Sequence, residues 1–377
     1  MTGAESVVVV DDVSTNNNGF NIGRLTLNKP KALNALDLEM ADIMLKALQK
    51  WQTRSDIVAI VIDSAGEKAF CAGGDIVSMY ESMVEAQGQI PAFLETFFET
   101  EYTLDYTIHN YNKPIIVWGS GIVMGGGMGL LCGASHRVVT ETSRLAMPEI
   151  TIGLYPDVGG SYFLPRLPGK SGLFLGLTGG QMNAADACFV GLADIMVASS
   201  EKTNLIEQLV NYTWGPTDQN SLQEAVNTIL NDLAKPESEP QGNIEPNMAL
   251  INRLCEADYV SDVVNAILSS DMQNDKWLSK AQSTLAKGSP ITMHLVFEQC
   301  KRGADMSLAA CFRMEADMSC RCGESGEFQE GVRALLIDKD MAPKWKYKNV
   351  EDVPKSEIEH HFTSPWSKES HPLSSLQ

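Results

Sequence analysis

Apolar and polar positions follow two rhythms over the first 200 residues. Ile57–Ile62 and Pro114–Trp118 are short continuous apolar runs, the pattern of parallel strands covered on both faces. Ser6–Val10 and Phe20–Leu27 read as two more strands. Asn16, Asn17, Asn18 and Gly19 between them tolerate positive φ and predict a hairpin. Over Asp37–Trp51 the apolar residues Met40, Ile43, Met44, Ala47 and Trp51 recur at helical spacing, with Asp37 placed to cap the start. Ile90–His109 predicts a helix carrying Phe93, Phe97 and Tyr102, and Gly126–Ala134 a helix that opens at glycines. Repeated strand, loop and helix units predict an α/β architecture with its site at the loops leaving the strands.

Beyond Ser200 the pattern changes. Pro236, Glu237, Ser238, Glu239, Pro240 and Gly242 break two helical stretches and read as a linker. Ser289 followed by Pro290 marks a helix start. The polar tail after Pro343 reads as loosely packed. The expected division is a core over residues 1–200, a helical insert over 201–288, and a C-terminal helical region with its tail over 289–377.

Composition narrows the function. A net charge of −19 disfavours binding to nucleic acid through its phosphates. The N-terminal dozen residues show no export or transit pattern, and no apolar run approaches the roughly 18 residues of a membrane span. The eight cysteines sit mostly alone in apolar stretches, which reads as reduced thiols, so the expected location is the cytoplasm. Cys320 and Cys322 are too close for a zinc knuckle and lack a second pair; no metal site is expected.

Two glycine-rich turns, Phe70–Asp75 (FCAGGD) and Met124–Gly129 (MGGGMG), each follow an apolar run, with Glu149 and Asp157 downstream. Such turns suit backbone N–H groups that stabilise a carbonyl oxyanion, served by carboxylates. Gly125, Gly126 and Gly127 also fit tight helix-to-sheet packing. No G-K-[ST] follows them, and Gly119–Gly125 does not fit G-x-G-x-x-G, so both phosphate-loop readings fail. There is no G-x-S-x-G elbow and no H-E-x-x-H, which disfavours a serine or zinc hydrolase. Glu149 after Pro148 also reads as a solvated turn residue, and Asp157 as a helix N-cap. Against this, both acids sit among apolar residues, where desolvation raises a carboxyl pKa and suits acid–base work.

Lys29–Leu36 (KPKALNAL), Phe70–Ile76 (FCAGGDI), Gly121–Gly129 (GIVMGGGMG) and Met147–Gly160 (MPEITIGLYPDVGG) resemble, in order and spacing, the crotonase or enoyl-CoA hydratase/isomerase superfamily. Pro156–Gly160 (PDVGG), Tyr162–Leu167 (YFLPRL) and Phe328–Asp340 (FQEGVRALLIDKD), with Pro343 and Trp345, resemble its thioester-hydrolysing subgroup. The resemblance implies a spiral of ββα repeats with a helical C-terminal region. It implies an oxyanion hole from the N–H groups of Gly74 and Gly126, catalytic carboxyls at Glu149 and Asp157, and a substrate contact from Glu101. Lys29, Lys31, Cys71, Ala72, Asp75 and Ile76 are weaker candidates for contacts to CoA.

One departure separates the chain from hydratases. Where a hydratase carries one of its two catalytic glutamates, three residues after Gly126, this chain has Gly129, and Asp157 stands where hydratases usually carry a small residue. Water addition needs an acid and a base around the incoming hydroxyl. The implied activity is therefore hydrolysis of an acyl-CoA thioester in valine degradation, with no cofactor beyond the CoA of the substrate. The expected partner is a small acyl-CoA, without nucleic acid or membrane; self-association is left open. Two alternatives stand beside it: hydration or isomerisation on the same fold, and a catalytically idle binding protein.

Overall fold

The structure is a computed structural model that describes residues 6–16, 19–215 and 218–377. Its strands are β1 (Val8–Ser14), β2 (Asn21–Leu27), β3 (Ile57–Ser64), β4 (Ala69–Cys71), β5 (Ile115–Gly119), β6 (Ile122–Met124), β7 (His136–Thr140), β8 (Arg144–Ala146) and β9 (Ile195–Val197). The first helices are α1 (Leu38–Gln52), α2 (Ile76–Ala86), α3 (Ala92–His109), α4 (Gly126–Gly133), α5 (Gly160–Phe163), α6 (Ser171–Thr178) and α7 (Ala184–Phe189). There follow α8 (Lys202–Asn211), α9 (Gln219–Asn231), α10 (Ile244–Leu254), α11 (Val260–Ser269), α12 (Lys276–Leu285), α13 (Pro290–Gly303), α14 (Leu308–Ser325), α15 (Glu327–Val332) and α16 (Lys355–His361). Short 3-10 turns join several of them. No helix among the described residues is long and apolar enough to cross a membrane.

The chain divides into two compact units of three segments each. The first comprises Met1–Gly74, Thr103–Leu145 and Met182–Gly242; the second comprises Asp75–Tyr102, Ala146–Gln181 and Asn243–Gln377.

In the first unit a six-stranded sheet runs β1-β2-β3-β5-β7-β9, and a three-stranded sheet runs β4-β6-β8. Each of three successive strand pairs, β3 with β4, β5 with β6 and β7 with β8, places one strand in each sheet, which is the expected repeat. From β2 onward the large sheet is parallel. Every residue of β3 is buried, as its unbroken apolar run predicts. Alternation along β2 separates its two faces. Ile22 joins Val58, Val61, Trp118 and the apolar sides of α8 and α9, and a Cβ on Gly23 would meet the Trp51 ring of α1 at 2.8 Å. Helices α8 and α9, within the expected helical insert of 201–288, thus cover one face of the sheet.

The predicted hairpin forms between β1 and β2, which pair antiparallel; Asn17 and Asn18 of its turn lie outside the described residues. β1 continues to Ser14, past the apolar run ending at Val10. Asp12 is held there by the Trp51 indole N–H at 2.7 Å and by Arg54. Asp37 caps α1, accepting from the Met40 N–H at 2.8 Å.

The second unit is mainly helical. α13 begins with Ser289 as its cap and Pro290 in its first turn, and it lies against α5 and α6 closely enough that a Cβ on Gly303 would fall 1.8 Å from the Ser161 carbonyl. The tail after Pro343 is not loosely packed. Ile358, His361, His371 and Leu373 are buried, Trp366 donates to Glu95, and Arg313 of α14 donates to the Leu376 carbonyl at 2.8 Å. Its polar composition hid a few apolar anchors spaced too widely to form a pattern.

Candidate active site

In the first unit, parallel strands β4 and β6 pair Ala69 with Ile122 and Cys71 with Val123, so the two glycine turns leave the small sheet side by side. Gly73 has φ of +109°, and a Cβ there would lie 3.6 Å from the Met124 carbonyl. Gly127 lies tighter still: its Cβ would meet the Cys71 carbonyl at 2.5 Å. The packing reading of the glycine run therefore applies to Gly127. The first turn is tied down by Leu36 N–H to the Gly73 carbonyl at 2.8 Å and by Ala72 N–H to the Leu33 carbonyl at 3.1 Å. Gly126 is the first residue of α4, where backbone N–H groups have no partner within the helix and the helix dipole favours negative charge.

The second unit holds the carboxyls. Glu149 opens a 3-10 turn after Pro148 and is 5% exposed, so it is not a solvated turn residue. Its Oε2 has no hydrogen-bond partner among the described residues. Burial, and secondarily the Asp157 charge, push its pKa well above the usual carboxyl value. Asp157 is also 5% exposed and caps no helix; Gly159 is the N-cap of α5. Its Oδ2 accepts the Tyr102 hydroxyl at 2.7 Å. Burial raises its pKa to about 6, while the Tyr102 bond opposes the rise. Asp157 has a side-chain donor that holds back its rise, whereas Glu149 Oε2 has none. Glu101 is buried on α3, next to Tyr102.

Sequence reasoning missed the support behind Asp157. The Tyr102 hydroxyl also meets Ser319 Oγ at 2.7 Å; Ser319 in turn lies 2.8 Å from the Tyr155 hydroxyl, which donates to the Glu315 carbonyl at 2.7 Å. Burial pushes Glu315 up to about 8, opposed by backbone N–H donors from Gly159 and Ser161. The sequence offers little signal for it: Glu315 stands between the apolar residues Met314 and Ala316, with the charged Arg313 and Asp317 on either side.

The weaker CoA candidates have structural roles of their own. Lys29 pairs with Asp37 at 2.6 Å, Cys71 is buried in β4, and Asp75 caps α2 through Ser78. Ala72 and Ile76 are partly buried, and Lys31 is exposed. No disulfide joins the cysteines among the described residues.

The sequence model of the enoyl-CoA hydratase/isomerase family matches residues 22–362. The chain belongs to this family. Within it, the chain is 40% identical over 344 residues to a zebrafish (Danio rerio) protein named 3-hydroxyisobutyryl-CoA hydrolase, mitochondrial, covering 91% of this chain and 87% of that one. The human protein of the same name is 36% identical, with 91% and 86% covered. Among solved structures, an enoyl-CoA hydratase from Rhodobacter sphaeroides superposes with a TM-score of 0.82 at 33% identity, over 96% of this chain and 98% of that one. A carnitinyl-CoA dehydratase from Mycobacterium thermoresistibile gives the same score and identity, over 96% and 97%. The expected crotonase-type fold, with its helical C-terminal region, is thus the observed one.

Proposed function

We propose that this protein hydrolyses 3-hydroxyisobutyryl-CoA to 3-hydroxyisobutyrate and free CoA, the activity named for its relatives. The observation that carries the reading is the buried pair Glu149 and Asp157, combined with a glycine at position 129. In this reading the N–H groups of Gly74 and Gly126 hold the thioester oxygen and strengthen their bonds as it gains charge. Glu149, once ionised, attacks the carbonyl carbon or activates the water that does so. Asp157 orients Glu149 or holds the substrate 3-hydroxyl, with Glu101 sharing that recognition.

Hydration is the competing reading, favoured by the solved hydratase with the same fold. Gly129 offers no side chain to supply the second acid. Purified protein is expected to release thiol from 3-hydroxyisobutyryl-CoA and to leave the enone absorbance of crotonyl-CoA unchanged. Enone loss without thiol release contradicts the proposal.

The reaction needs no resident metal or cofactor, so activity should survive chelation and dialysis. A role in valine degradation follows from the substrate. The cytoplasmic placement rests on cysteines spaced singly along the sequence and on acidic charge; the relatives are named mitochondrial, and fractionation of the tagged chain separates the two. Sedimentation reads whether the chain self-associates.

A further inference from the structure

Glu315 is fully buried in the second unit, without a cationic partner in any described ion pair. A buried acid of this kind is costly to keep, and packed apolar residues often do as well or better for stability. Its two oxygens are nonetheless fully engaged: Oε2 accepts the Gly159 N–H and Oε1 the Ser161 N–H, each at 2.8 Å. Both donors lie in the turn that follows Asp157.

That turn is strained. Val158 is β-branched yet has φ of +50°, and Gly159 follows at +92°. Such a conformation persists only where the surroundings enforce it. One face of α14 supplies the enforcement. The Phe312 ring lies 3.4 Å from the Cβ position of Gly159, Glu315 takes the two N–H groups, and Ser319, one turn on, reaches both Tyr155 and Tyr102. From α13, Gln299 Nε2 donates to the Pro156 carbonyl at 2.9 Å. The backbone just after Asp157 is thus held by Glu315, and the Asp157 carboxyl by Tyr102.

We propose that Glu315 is a positioning residue for hydrolysis: its carboxyl group clamps the strained 157–161 turn and so sets where the Asp157 carboxyl sits relative to Glu149. The assignment rests on the functional reading above, because it gives the clamp its purpose. It also predicts that neighbouring members of α14 act in the same direction, so that Ser319→Ala, which loosens Tyr102, repeats the effect in weaker form.

The test compares wild type, Glu315→Gln and Glu315→Leu, with rates expressed per folded molecule from near-ultraviolet circular dichroism. Gln keeps one acceptor and Leu keeps none. The expected kcat for thiol release falls about tenfold for Gln and further for Leu, in line with losing one and then two hydrogen bonds to a charged or polarised group. KM should change less than about threefold, since substrate contacts are not removed. Hydrogen exchange should quicken in the peptide spanning residues 157–163 and stay unchanged in β3. A merely structural role would lower the folded fraction and leave kcat per folded molecule intact, which overturns the proposal. So does wild-type exchange over 157–163 in either variant. An inactive wild type would count against the functional reading alone, with the exchange arm still deciding whether Glu315 holds the turn.

Discussion

The Tyr102 hydroxyl donates to Asp157 Oδ2 at 2.7 Å, which fixes one oxygen of that carboxyl as an acceptor and leaves the other to carry any exchangeable proton. The bond favours the ionised acid and works against burial, which dominates and lifts the group to about 6. Removing the donor in Tyr102→Phe should therefore raise the midpoint at which Asp157 ionises. Infrared difference titration of the carboxyl stretch reads this directly; a midpoint equal to that of wild type would show that the bond does not hold the charge.

Glu149 must ionise to act as base or nucleophile, and its pKa lies well above the usual value through burial first and the Asp157 charge second. The sign follows: kcat/KM should rise with pH along a limb lying above the ordinary carboxyl range. Asp157→Asn removes the like charge but not the burial, so the residual activity should show the limb at lower pH, still above an ordinary glutamate. A limb that stays in place on substitution would mean that the two groups do not titrate together.

Gly127→Ala probes the close approach of the two glycine turns. Its φ is not strained, so the effect is steric: the added Cβ would meet the Cys71 carbonyl at 2.5 Å, backbone against side chain. Forced separation of this kind costs about 1–3 kcal/mol. Displacing an oxyanion donor costs about a hundredfold in kcat. Thermal unfolding and thiol-release kinetics should both register the change; full activity in a folded variant would rule out the turns as the oxyanion site.

Deleting residues 363–377 removes Trp366 from Glu95, Leu376 from Arg313, and the buried Leu373. Losing apolar burial on this scale costs about 2–4 kcal/mol, seen as a lower thermal midpoint. A loosely packed tail would leave the midpoint unchanged.

These residues also show what a sequence discloses. The continuous apolar runs at Ile57 and Pro114 announced buried parallel strands, and the Asp37 cap and Ser289–Pro290 start were written locally, so the elements they predicted are present. Gly74, Gly126, Glu149 and Asp157 stood out because each lies in a short recognisable motif. Glu315 and Ser319 did not, since their contacts to Tyr155 and to the turn after Asp157 span up to 164 positions and leave no local spacing. The tail was misread for the same reason: its anchors are isolated apolar residues whose partners lie far away in the chain.

The most direct test of the account is the rate of thiol release from 3-hydroxyisobutyryl-CoA by wild type beside Glu149→Gln, a variant of nearly equal shape whose amide can neither accept the proton from water nor attack the carbonyl. Hydrolysis by wild type and a loss of at least about a thousandfold in the variant, with unfolding midpoints matched, is the predicted result. Thiol release that survives the substitution would contradict the central role given to Glu149.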